Sequence, residues 1–245
     1  MKKKVHRAFT LAEVLITLGV IGVVAAMTLP TLMSHYSRVV MAARNKKFVS
    51  SINQAVLRST ADNGPPNEWP KHILYHNPEA LYDWFDEYIM QYMKILKDCR
   101  HDPKGCIAEY RYCETLDRCY SANGIGNSNV LYVFNDGSMI IALTGGGLDQ
   151  ETGITTGLTI HIRFDANGYA KPNQYGRDIF SYRFTVAKNK FYITCDNHKN
   201  ITGGTVSTNN SRTYLIESCK TDPQTCSCLL MKDNYEFKAD YPYRL

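Results

Sequence analysis

The sequence predicts an α+β protein: a long N-terminal membrane-spanning helix packed on an antiparallel-sheet globular domain, stapled by disulfides. Three observations predict it. Close to its start the chain has 21 residues, 9–29, that contain no Lys, Arg, His or Asp. A helical apolar periodicity continues past them to about residue 61. Strand-like segments separated by turn residues then fill residues 130–195, within a part of the chain that also carries all eight cysteines.

The apolar run comes first. At 1.5 Å per residue a helix of this length reaches about 31 Å, one hydrocarbon core. Lys2, Lys3, Lys4 and Arg7 precede it with no acid among them. A basic tip before an apolar run enters the translocation machinery with its positive end left in the cytoplasm. The following domain then lies outside the membrane. The formal charge of +5 is mostly a property of that tip; beyond it 24 basic residues face 23 acidic ones. No bulk basic surface points to nucleic acid.

Three readings of the run compete. It is an ordinary signal peptide, with Val24-Ala25-Ala26 as small residues for a cut; or a plain signal anchor; or a segment with chemistry of its own. Glu13, its one charged residue, decides among them. A carboxylate at mid-span costs about 2.5–3.5 kcal/mol, and less near the end where Glu13 lies. No basic side chain in the run can pair with it. A cut just before Phe9 would create an α-amino group four residues away, and a helix N-terminus also favours a carboxylate. A neighbouring copy could supply the amine equally well, setting the axial register of an assembly.

Lys2-Lys3-Lys4-Val5-His6-Arg7-Ala8 followed by Phe9-Thr10-Leu11-Ala12-Glu13-Val14-Leu15-Ile16 resembles the prepilin signal of type IV pilins and type II secretion pseudopilins. The resemblance implies a prepilin peptidase that removes residues 1–8 and N-methylates Phe9. It also implies that Glu13 pairs with the amine of an adjacent subunit in a filament. Ala8 stands where the family usually has glycine, and Ala12 replaces a branched aliphatic residue. Pro30 either ends the span or, as in pilins, bends a continuing helix. Gly22 and Ala26, with Gly19 before them, permit close helix approach.

The rest follows in order. Leu32, Tyr36, Val39, Val40, Ala43, Val49, Ile52, Ala55 and Val56 fall at helical spacing, opposite Arg38, Arg44, Lys46, Lys47 and Arg58. This amphipathic helix lays its apolar stripe on the domain and stops before Asp62-Asn63-Gly64-Pro65-Pro66. Asn77 and Pro78 start a second helix, with Leu81, Trp84, Phe85, Tyr88, Ile89, Tyr92 and Leu96 as its buried face. Cys99, Cys106, Cys113 and Cys119 form one cysteine cluster, and Cys195, Cys219, Cys226 and Cys228 a second. The first has no C-x-x-C pair, so local disulfides stapling loops outrank zinc in both, with pairing inside each cluster and cross-pairing left open.

Residues 130–134 and 138–143 flank Asn135-Asp136-Gly137, a hairpin turn. Residues 157–164, 179–186 and 191–195 supply three more strands. The loop between two of these offers Asp165, Asn167 and Asp178 as hard oxygen ligands for calcium. Asx residues beside glycine also make plain turns, and both readings stand here. No nucleophile elbow, zinc-binding H-E-x-x-H or P-loop occurs, and Gly145-Gly146-Gly147 has no lysine after it. The chain is read as a non-enzymatic subunit.

The expected organisation is a cleaved leader (1–8), a transmembrane and assembly helix (9–29), an amphipathic continuation (30–62) and an extracytoplasmic domain (63–245). The expected function is a structural subunit of a type II secretion pseudopilus or a type IV pilus-like filament. It crosses the inner membrane once, with its C-terminal domain periplasmic or extracellular. Its partners are the membrane, the peptidase and copies of itself or other pilin-like subunits. The alternative is a secreted or anchored binding module behind an ordinary signal, cut near Met27.

Overall fold

Helix α1 (Leu11–Asn63) runs 53 residues and passes through Pro30 without a break. The proline removes one donor and crowds the carbonyl of Ala26, but the helix does not end there. The computed structural model describes residues 10–70, 78–100, 111–115, 118–121, 132–148, 158–187, 190–195 and 206–243. Only the second half of α1 meets the domain: Met41, Asn45, Phe48, Val49, Ile52, Ala55, Val56 and Ser59 are buried. This corrects the expected stripe. Leu32, Tyr36 and Val39 point to solvent, the last 53% exposed, because no described part of the domain reaches them. Gly64 stops the helix at φ 76°, a conformation glycine adopts without a Cβ clash.

Six antiparallel strands form the sheet, in the order β1-β4-β5-β6-β7-β8. They are β1 (Ile95–Asp98), β4 (Tyr132–Phe134), β5 (Met139–Leu148), β6 (Leu158–Asp165), β7 (Ile179–Ala187) and β8 (Lys190–Cys195). Strands β2 (Arg111–Thr115) and β3 (Arg118–Ser121) pair separately as a hairpin. Alternation at period two places Ile160, Ile162 and Phe164 opposite Phe184, Tyr182 and Phe180, all buried on one face. The Gly145-Gly146-Gly147 run lies within β5, with a register shift between Gly145 and Gly147.

All the helices whose packing is described sit on that face. Phe48 of α1 stacks on Phe164, with ring centroids 4.1 Å apart, and tilts against Phe134 and Tyr182. Helix α2 (Pro78–Tyr88) drives Trp84 and Phe85 against Phe184. Trp69 stacks on Tyr88 and donates to Gly64 O. The second helix is shorter than the sequence suggests. A 3₁₀ turn (Met90–Tyr92) follows α2, and Leu96, expected in the helical core, stands 65% exposed on β1. The helical period runs on numerically through Tyr92 and Leu96, but Tyr92 ends the 3₁₀ turn and Leu96 stands at a register shift in β1, between Ile95 and Lys97, which pair with β4.

Three cysteines of the second cluster lie on helices rather than in a loop, and the fourth, Cys195, ends β8. Helices α3 (Arg212–Thr221) and α4 (Cys226–Lys232) flank a 3₁₀ turn (Pro223–Thr225). Cys219–Cys226 closes that turn, and Cys195–Cys228 ties α4 to β8. Both bridges fall within the second cluster, as expected. Cys99 and Cys113 are also disulfide-bonded, with the other halves of their bridges outside the described side chains. Cys106 lies outside the described residues, and Cys119 is placed by backbone opposite Cys113.

Candidate functional site

The start of α1 is a capping box. Thr10 has extended backbone angles and its hydroxyl accepts from Glu13 N at 3.2 Å. Glu13 Oε2 in return accepts from Thr10 N and from Thr10 Oγ1, each at 2.8 Å. Two orphan backbone donors are thereby satisfied reciprocally: the Glu13 carboxylate takes Thr10 N–H and the Thr10 hydroxyl takes Glu13 N–H. The Thr-x-x-Glu spacing of a capping box is legible in the sequence beside the charge of Glu13. Ala8 and Phe9 lie outside the described residues.

Over the apolar stretch that follows, no described residue covers the helix. An 18-residue stretch of α1 has a mean hydropathy of 2.2 and none of it is buried. Gly19 and Gly22 have no foreign atom within 4 Å of where a Cβ would stand, so a neighbouring helix has room to approach there. By length and composition α1 can cross a membrane. The exposed apolar surface extends through Leu32, Tyr36 and Val39, well past Pro30.

Where α1 enters the domain its polar side chains clamp it. Arg44 Nη1 donates to Ala166 O at 2.7 Å, and Lys47 Nζ pairs with Asp136 Oδ2 at 2.7 Å. Burial works to raise the Asp136 carboxyl, but hydrogen bonds from Lys47 and Ser138 hold it below its usual value. Asn45, wholly buried, accepts from Tyr182 OH at 2.6 Å and donates to Met41 O at 2.8 Å.

Asp165, Asn167 and Asp178 do come together at the base of the β6–β7 loop. Asp165 Oδ1 accepts from Asn167 N (3.0 Å) and Gly168 N (2.8 Å). The Asp178 carboxylate accepts from Asn173 N at 2.8 Å and Gln174 N at 2.5 Å. Gly168, at φ 69°, lets the loop press on the β4–β5 turn; a Cβ there would lie 2.0 Å from Gly137 O. Both carboxylates thus serve turn N–H groups. Among the described residues no group of three or more His, Cys, Asp or Glu side chains is arranged to hold a metal.

Residues 31–245 match a family described as a family of unknown function, DUF6613. The chain belongs to that family. Residues 3–29 match the prokaryotic N-terminal methylation motif, the prepilin signal of type IV pilins and pseudopilins. No curated protein and no solved structure matches the chain.

The two matches meet at Pro30. The methylation motif covers the first part of the exposed stretch of α1, and the DUF6613 match takes in the rest of that stretch, the buried part of the helix and the sheet. The DUF6613 part also holds a groove of about 240 Å³ beside α1. Its lining includes Phe48, Phe134 and Met93, the exposed Arg58 and Lys94, and Asp136, which is paired with Lys47. Sequence reasoning placed Arg58 on a solvated face and did not single out Lys94, because the groove exists only once the 3₁₀ turn lies against α1.

Proposed function

We propose that this chain is a structural subunit of a type II secretion pseudopilus or type IV pilus-like filament. It enters the inner membrane as a prepilin with its N-terminus in the cytoplasm and its domain on the other side. A prepilin peptidase cuts between Ala8 and Phe9 and the new amine is N-methylated. The finished subunit then assembles through α1.

One observation carries this reading. An 18-residue apolar stretch of α1 is not buried by any described residue of the chain, and the methylation motif reaches along this helix to residue 29. Apolar side chains left in water on this scale demand lipid or other helices. Lipid supplies the first partner and copies of the same helix the second. Moving such a helix from lipid into a bundle changes its hydrophobic burial little, so specific contacts must choose the register. Glu13 supplies one. In the precursor it caps its own helix; after the cut, the amine of Phe9 on a neighbouring copy gives it a cation. Its mechanism is assembly rather than catalysis.

The test is mass spectrometry of the mature N-terminus. The proposal expects N-methylated Phe9 as first residue. A mature chain starting near Met27 would mean an ordinary signal peptide and sink the filament reading.

A further inference from the structure

Charge is segregated between the two long helices. Helix α1 carries Arg38, Arg44, Lys46, Lys47 and Arg58, and its two acids stand at its ends: Glu13 in the first turn, and Asp62, which accepts from Tyr92 OH at 2.9 Å. Residues 78–93 contain Glu79, Asp83, Asp86 and Glu87 and no Lys or Arg.

The basic side of this division borders the groove beside α1. Arg44 and Lys47 are engaged within the chain, but Arg58 and Lys94 form no ion pair among the described residues and both are exposed. From Lys47 to Arg58 the groove follows α1 for about 16 Å. The acidic side is a raised stripe. Glu79, Asp83 and Glu87 recur every four residues on α2, opposite the buried line of Leu81, Trp84, Phe85 and Tyr88. The stripe is about 12 Å long. The Asp83 side chain is 75% exposed even while it contacts Arg100. No ion pair joins stripe and groove within one chain among the described residues.

We propose that the groove receives the acidic stripe of α2 from a second copy of this chain. The two surfaces differ, so the contact is heterologous and repeats from copy to copy, as a filament requires. Opposite charge fixes the register of neighbouring domains, while α1 supplies the apolar contact. The proposal rests on the filament reading above.

The test uses the full-length chain assembled in its native cells, with half of the copies carrying a heavy-isotope label. A carbodiimide joins touching Lys and carboxylate groups without a spacer. Linked peptides of mixed isotope between Lys94 and Glu79, Asp83 or Glu87 are expected. The double variant Arg58→Glu/Lys94→Glu should lower filament yield at least fivefold with an unchanged melting temperature. Glu79→Lys/Glu87→Lys should do the same, and co-expressing the two variants should restore filaments. Wild-type yield from either reversed variant, or loss without rescue on co-expression, overturns the groove contact and leaves the filament reading standing. A wild-type chain that gives neither filaments nor N-methylated Phe9 overturns that reading and this contact together.

Discussion

Replacing Asn45 by Ala tests what holds α1 to the sheet. Asn45 Oδ1 is the acceptor for the wholly buried Tyr182 hydroxyl, at 2.6 Å. The substitution strands that hydroxyl, at a cost of about 1–3 kcal/mol. Higher helix propensity of Ala returns about 0.5 kcal/mol, so the net loss is about 1.5 kcal/mol. For a domain of this size 1 kcal/mol moves the melting temperature by about 2–4 °C. The expected drop is therefore about 3–6 °C. Tyr182→Phe removes the donor instead and strands the Asn45 oxygen. In the double variant neither orphan remains, so the two losses must fall short of additive, by about 1–2 kcal/mol. Fluorescence of Trp69 and Trp84, both buried, reports the transition in the detergent-solubilised chain with disulfides intact. Strictly additive losses would refute the reasoning, since they would mean that the bond does not couple the helix to β7.

Glu13→Ala should leave membrane insertion intact and impair incorporation into filaments, read by fractionation; unaltered incorporation would count against the pairing of Glu13 with an amine. Cys195→Ser/Cys228→Ser opens a link of 33 residues and should cost about 3–4 kcal/mol, read by denaturant titration; a loss below 1 kcal/mol would contradict the anchoring of α4 to β8. Burial pushes Asp178 up to about 6, against backbone hydrogen bonds from Gln174 and Asn173 that lower it. Its folded value is thus above the unfolded one of about 3.9, so its contribution is complete below pH 4 and is lost as pH rises through about 6. Asp178→Asn should flatten the melting temperature over that window, and an undiminished slope would place the pH dependence elsewhere. Calcium or a chelator should leave the melting temperature unchanged, because Asp165 and Asp178 already serve backbone N–H groups; a calcium-dependent rise of several degrees would assign the loop a bound ion.

Legibility in the sequence followed the range of the interaction. Strands β6, β7 and β8 were readable within a residue or two, because one buried face imposes strict alternation. The end of α2 was not. Tyr92 and Leu96 keep the helical period, and only the pairing of Ile95 with Phe134 turns that segment into a sheet edge. Helices α3 and α4 were hidden because the cysteines that crowd them read as loop staples. Their buried faces are short, with Leu215 and Cys219 on one and Cys228, Leu229 and Leu230 on the other. At the candidate site, Glu13 was conspicuous as a charge among apolar residues, and its cap needed only Thr10 three positions earlier. The groove lined by Arg58 and Lys94 was invisible, since those residues are 36 positions apart.

The sequence by itself determined the N-terminal segment: a basic tip, an apolar helix of membrane length, and a carboxylate where a cut at Phe9 would place an amine. Those properties depend on neighbours along one helix, and local physics reads them directly. Tertiary structure alone decided where that helix stops being free. At Met41 the side chains of α1 begin to meet the sheet, although the apolar pattern on either side of that point is much the same. The physical reason is that burial depends on what stands opposite a side chain, and for Phe48 that is Phe164, 116 residues further along the chain.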